Sequence, residues 1–191
     1  MEQNTSDDTS FQAQDSPDDL VQWALHFRQY KRQFAPQQPN LARLRDHDEL
    51  EDLRENPEVL QLAPPPLSNP TIGVPGYQQG DQGENKLLWV IGLSDFPLAL
   101  EGGELGQTRK RGYLAHTNLT GGASAHCGGE MFIRDARSVW LTGGSGRYPP
   151  RNAAELEAVA DALRNAGYQV ASCGWDVYGP ARFFRGEPQW K

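Results

Sequence analysis

The run Leu87-Leu88-Trp89-Val90-Ile91-Gly92-Leu93 constrains the fold more than any other segment of the chain. Seven residues without a polar position have no face to offer water, so the run reads as a buried strand. Ser94-Asp95 turns the chain, and residues 96–100 return as a second strand. Residues 102–111 form a polar loop. Tyr113-Leu114-Ala115-His116 is expected as a third strand, leading into the glycine-rich stretch Leu119-Thr120-Gly121-Gly122-Ala123. Glu130-Met131-Phe132-Ile133 and Ser138-Val139-Trp140-Leu141 flank Arg134-Asp135-Ala136-Arg137, the pattern of a hairpin. Asn152, with Glu155 three residues on, opens a helix by a capping box. Leu156, Val159, Ala160 and Leu163 make one apolar stripe, and Gly167 closes the helix. Residues 168–173 predict a further strand, and Ala181-Arg182-Phe183-Phe184 a last edge strand. Strands, one helix and more strands predict an α+β domain over residues 86–191: a small, mostly antiparallel sheet with one main packed helix.

The preceding 85 residues differ in character. They contain 6 Lys/Arg and 15 Asp/Glu, a balance of −9, whereas residues 86–191 contain 12 and 10, a balance of +2. Residues 1–16 are polar, acidic and aperiodic, and are expected to be a disordered tail. Residues 17–62 predict a helical arm. Ser16 is suited to cap its first helix, Pro17 sits at the first helical position, and Leu20, Trp23, Ala24 and Phe27 follow helical spacing until Pro36. A second short helix is expected from about Asp46 to Glu55, stopped by Asn56-Pro57. Residues 63–85, rich in Pro, Gly, Gln and Asn, have the composition of a linker. The whole is an α+β domain preceded by a partly helical, partly disordered acidic arm.

Composition excludes several classes. No basic footprint supports nucleic-acid binding, because Arg109-Lys110-Arg111 is too short a run. No apolar run approaches the roughly 18 residues of a membrane span. The N-terminus lacks the basic start and apolar core of a secretory signal, so a cytoplasmic protein is expected. Two cysteines without a CxxC pair point to free thiols and to no structural zinc site. No pattern calls for a cofactor.

Two separated motifs carry a family resemblance. Lys86-Leu87-Leu88-Trp89-Val90 and the stretch Lys110-Arg111-Gly112-Tyr113-Leu114-Ala115-His116-Thr117-Asn118-Leu119-Thr120-Gly121-Gly122 are followed by Ser145-Gly146-Arg147-Tyr148-Pro149-Pro150. In order and spacing, residues 86–165 resemble a region of the plant IQ-motif calmodulin-binding proteins and of similar uncharacterised bacterial toxin-like and effector-like domains. Thr117 and Asn118 stand where that pattern has serines, and Arg147 where it has histidine. The resemblance implies calmodulin binding through a separate helical segment, and no known chemistry for the domain itself. Val21-Gln22, His26-Phe27 and Lys31 fall at the spacing of an IQ helix, with His26 and Phe27 departing from it.

The two loops form the strongest constellation. His116, Thr117, Asn118, Gly121 and Gly122 in one, with Ser145, Gly146, Arg147 and Tyr148 in the other, are the candidate ligand-binding residues. Glycine lets backbone approach a ligand, and successive N–H groups can cradle an anion. His116, Ser145 and Arg147 are the candidate catalytic groups: an acid/base near neutral pH, a hydroxyl and an anion-binding fork. The structural alternative is that glycine pairs turn corners, His116 bonds a backbone carbonyl, and Arg147 and Tyr148 cap the sheet. Glu130 offers an acid/base or an exposed strand carboxylate. A hydrolase triad of Ser145, His116 and Asp176 lacks a nucleophile-elbow pattern. A metal site from His116, His126 and Cys127 is opposed by strand alternation. Trp89, Trp140 and Trp175 read as core or rim aromatics.

Two functions follow. One is a ligand- or protein-binding module, with a small anionic ligand at the loops or a protein partner on helix 17–34. The other is a small toxin- or effector-type enzyme acting on a nucleotide or phosphorylated ligand. It would be at best like an ADP-ribosyltransferase, whose late catalytic glutamate finds only Glu187 here.

Overall fold

A computed structural model describes residues 17–185 and 187–191, with side chains from Leu25 onward. The expected disordered tail, its Ser16 cap and the side chains of Leu20 and Trp23 lie outside the described residues. The elements are α1 (Pro17–Gln33), β1 (Leu60–Gln61), β2 (Leu87–Ile91), β3 (Pro97–Leu100), α2 (Glu104–Gln107), β4 (Cys127–Asp135), β5 (Ser138–Thr142), α3 (Ala153–Asn165), β6 (Gln169–Ser172), β7 (Trp175–Asp176) and β8 (Gly179–Pro180). Short 3-10 turns cover His47–Leu50 and His116–Leu119.

The fold is α+β. Six strands form one sheet in the order β1-β3-β2-β4-β5-β6, and β7 pairs with β8 in a separate hairpin. All pairs of the large sheet are antiparallel except β5 with β6. That parallel pair is joined through α3, as a crossover connection requires. Lys191 exchanges backbone hydrogen bonds with Val170, so the C-terminal residues cover the free edge of β6.

Strand alternation sorts the core. Leu87, Trp89 and Ile91 of β2, Cys127, Met131 and Ile133 of β4, and Val139 and Leu141 of β5 point to one face. There they meet Phe27 and Tyr30 of α1 and Leu156, Val159 and Leu163 of α3. Leu88, Val90 and Ala99 point the other way, onto Leu53, Val59, Leu105, Leu114, Leu119 and Tyr148. The long helices α1 and α3 thus cover one face, and the short α2, a 3-10 turn and irregular chain the other. α3 starts where its capping residue predicts: the Asn152 side chain accepts from Glu155 N at 2.9 Å. The Glu155 carboxylate turns to Arg151, accepting its backbone N–H at 2.6 Å. Gly167 ends the helix with φ of +102°.

The segments expected as arm and linker lie against this sheet. Tyr30 is 2% exposed; its hydroxyl donates to Glu155 at 3.0 Å and lies 2.9 Å from Cys127 Sγ. Leu60 and Gln61 form the edge strand on β3. Gly73 N donates to Ile133 O at 2.8 Å, and Val74 bridges to Glu84.

Three local expectations are corrected. Residues 113–116 are not a strand: Asn118 Oδ1 accepts Ala115 N at 2.9 Å and winds the chain into the 3-10 turn, burying Leu114 and Leu119. Residues 46–55 hold only the turn His47–Leu50. Residues 181–184 are irregular, because the chain has already reversed in the β7–β8 hairpin. No helix among the described residues is long and apolar enough to cross a membrane.

Candidate functional site

A cleft of about 770 Å³ opens on the sheet face away from α1 and α3. Its floor comes from even-numbered positions of β4, which point opposite to Cys127 and Met131. Glu130 and Phe132 lie there, joined by Thr142 of β5, Lys86 before β2, and His116. Gly128 and Gly129, just before Glu130 in the same strand, allow close packing beside this floor. A Cβ on Gly128 would sit 3.1 Å from the His116 ring and 2.8 Å from Trp89 O, and one on Gly129 2.1 Å from Thr142 O. Only glycine lets imidazole and indole close on both sides of the strand.

His116 is 6% exposed and bonded through Nε2 to Gly129 O at 2.9 Å. A carbonyl only accepts, so Nε2 carries the proton and Nδ1 is left as an acceptor. Burial, reinforced by the Lys86 and Arg147 cations against the carbonyl bond, pushes the imidazole down to about 4. At neutral pH it is an uncharged acceptor, not a cation. Lys86 sits between Glu101 at 2.7 Å and Glu130 at 3.2 Å. Burial pulls its ammonium down, but the two carboxylates outweigh this and raise it. For Glu130 burial dominates over Lys86 and lifts the carboxyl above its ordinary range.

Four of the nine sequence-derived site residues line this cleft: His116, Ser145, Gly146 and Arg147. The other five serve the fold. Asn118 Nδ2 donates to Asp48 O at 2.8 Å and Glu51 O at 3.1 Å. Gly121 and Gly122 have φ of +61° and +77° and face Asp52 and Leu50. Thr117 is fully buried. The Tyr148 hydroxyl lies in the core, 2.7 Å from Thr120 Oγ1 and donating to Ala123 O at 2.7 Å.

Arg147 and Ser145 are occupied by the fold as well. The Arg147 guanidinium pairs with the buried Glu49 carboxylate, and donates to Asn40 O at 3.1 Å and Arg43 O at 3.0 Å. It clamps residues 40–49 to the β5–α3 loop and is not an open fork for a ligand. Arg111 reaches the same carboxylate at 2.9 Å. Burial would raise the Glu49 carboxyl, yet the two guanidinium groups hold it below the usual range. Ser145 Oγ accepts from Tyr148 N at 3.0 Å and Arg147 N at 3.3 Å, the geometry of a turn residue. His116 bonds neither Ser145 nor Asp176, and Asp176 pairs with Arg185 at 3.2 Å. His126 bonds Phe34 O at 2.7 Å, while Cys127 lies under α1, so these two and His116 do not converge. Trp89 is core; Trp140 packs on Trp190 at the rim, 5.3 Å between centroids. Glu187 does not line the cleft.

Residues that sequence reasoning missed are those brought in from afar. Lys86, Glu101 and Thr142 complete the floor, and Arg43, Arg45 and Arg182 stand at the mouth. The last three are exposed and make no side-chain ion pair or hydrogen bond among the described residues. A lysine immediately before a buried strand was the one available signal. No family model, curated protein or solved structure matches this chain.

Proposed function

We propose that the protein is a binding module for a small anionic ligand, held in the cleft on the open face of the sheet. Charge is the observation that supports it. The cleft is lined by seven Arg/Lys and five Asp/Glu, a balance of +2, in a chain whose net charge is −7. A positive, low-dielectric concavity in an acidic molecule concentrates anions there. Its volume falls in the range of small-molecule sites, roughly 300–1,000 Å³. The cations that act are Arg43, Arg45 and Arg182, since Arg147 and Arg111 are tied to the shared Glu49 carboxylate, Lys86 to Glu101 and Glu130, and Arg185 to Asp176.

The test is a thermal melt of the full chain with pyrophosphate, citrate or glucose. Pyrophosphate and citrate are expected to raise the melting temperature by mass action, glucose to leave it unchanged, and added salt to shrink the shift. The variant Arg43→Ala/Arg45→Ala/Arg182→Ala should lose the shift and keep its own melting temperature. A cooperative melt that no anion moves would sink the proposal.

A small enzyme acting on a nucleotide or phosphorylated ligand is the second reading, favoured by one observation. Glu130 combines a raised carboxyl, the adjacent Lys86 and a place in the same cleft as neutral His116. Perturbed groups in a cleft are the usual mark of acid–base chemistry. A protein partner on helix 17–34 would have to meet its outward face, around Leu25, because Phe27 and Tyr30 are taken by the core.

A further inference from the structure

The β7–β8 hairpin carries a feature that the fold does not use. Trp175 pairs with Pro180 and Asp176 with Gly179, leaving Val177-Tyr178 as its two-residue tip. Such tips ordinarily hold Gly, Asn or Asp, which turn the chain and face water without loss. Here Val177 is 86% and Tyr178 99% exposed. An exposed apolar pair at that position stabilises nothing in the isolated chain. Tyr178 nonetheless lines the cleft, together with the unpaired arginines 43, 45 and 182. Its ring has no aromatic or cationic neighbour among the described residues, whereas the nearby Tyr113 ring is covered by Arg111 at 4.3 Å.

Guanidinium forks match phosphate oxygens, and an uncovered phenol ring offers a stacking face. A bare inorganic anion would need the first and leave the second idle, as well as most of a 770 Å³ cleft. We propose that the ligand is a nucleoside diphosphate or triphosphate, with its phosphates on Arg43, Arg45 and Arg182 and its base stacked on Tyr178. This deepens, and rests on, the anionic-ligand reading of the same cleft.

Isothermal titration of the full chain with ADP, adenosine and pyrophosphate tests it, using the wild type, Tyr178→Ala and Arg43→Ala/Arg45→Ala/Arg182→Ala. All four side chains are exposed, so unchanged melting temperatures are expected. ADP should bind at least tenfold more tightly than either fragment. Losing a base–aromatic stack typically costs about tenfold or more in affinity. Tyr178→Ala should therefore weaken ADP by about that factor and leave pyrophosphate unchanged, while the triple variant weakens both. If pyrophosphate binds as tightly as ADP, or Tyr178→Ala leaves ADP unaffected, base recognition is refuted and the anionic site stands. If neither ADP nor pyrophosphate binds, both proposals fall. Adenosine binding that matches ADP and survives the arginine changes would refute the phosphate contacts.

Discussion

His116 owes its chemistry to where the backbone puts it. A side-chain imidazole that donates to Gly129 O while almost completely buried stays neutral, because nothing nearby compensates a second proton. Its folded value of about 4 lies below the ordinary 6.5, so the unfolded chain binds more protons between these limits. The stabilising contribution is complete above pH 6.5 and is lost as pH falls towards 4. A difference of this size corresponds to about 3 kcal/mol. His116→Gln keeps an N–H for Gly129 O and does not titrate. Urea denaturation from pH 7 to pH 4 should show the wild type losing about 3 kcal/mol more than this variant. Parallel losses would mean that His116 is not the titrating group. Histidine at this position is readable in the sequence, but its charge state is not. That depends on Gly128 and Gly129, twelve and thirteen residues away, which admit the ring to the strand.

At the scale of elements, the segment 40–53 is held to the sheet by charge inside the molecule. Glu49 and Arg147 are 4% and 7% exposed at their side chains, and Arg111 adds a second cation. Removing one member of a buried pair leaves the other unpaired, at a cost of about 3–5 kcal/mol. Glu49→Gln and Arg147→Met should each destabilise by that order, and the double variant by clearly less than their sum. Strict additivity in urea melts of the four proteins would show that no clamp exists. Elements also show where sequence patterns carry and where they break. The helix over residues 153–165 and the buried strand at 87–91 follow from periodicity, because burial on one stripe or on both faces is written in the residue order. The hairpin of β4 and β5 is readable too, but its register shifts between Ile133 and Asp135. That bulge sets Glu130 opposite Thr142, a pairing that a regular two-residue turn would not produce. Tyr113-Leu114-Ala115-His116 has the apolar content of a strand, and becomes an irregular approach to a turn because Asn118 captures Ala115 N.

For the whole molecule, the division into an arm and a domain does not describe how the core is filled. Phe27, Tyr30, Leu53, Val59 and Leu62 from the N-terminal half are all buried. They occupy both core clusters. A fragment of residues 86–191 would expose the surface they cover and leave Arg147 without Glu49. It should lack the cooperative thermal transition and near-ultraviolet circular dichroism of the full chain; a sharp transition in the fragment would show that the sheet and α3 suffice. The acidic composition of the first half looked like that of a solvated extension, because average charge hides a few apolar residues at the right spacing.

Sequence by itself determined the α+β class, the buried central strand and the capped helix. These rest on local periodicity and turn chemistry, which neighbouring residues decide. Tertiary structure decided which loop residues line the cleft and which are spent on the fold. Arg147 became an internal clamp, Asn118 a fastener and Tyr148 a core residue, while Lys86, Glu101 and Thr142 joined the floor and Tyr178 its rim. A polar side chain has the same appearance in the sequence whether its partner is water, a ligand or a carbonyl a hundred residues away. Only packing selects the partner, because the cost of an unpaired buried polar group is imposed by the neighbours that bury it.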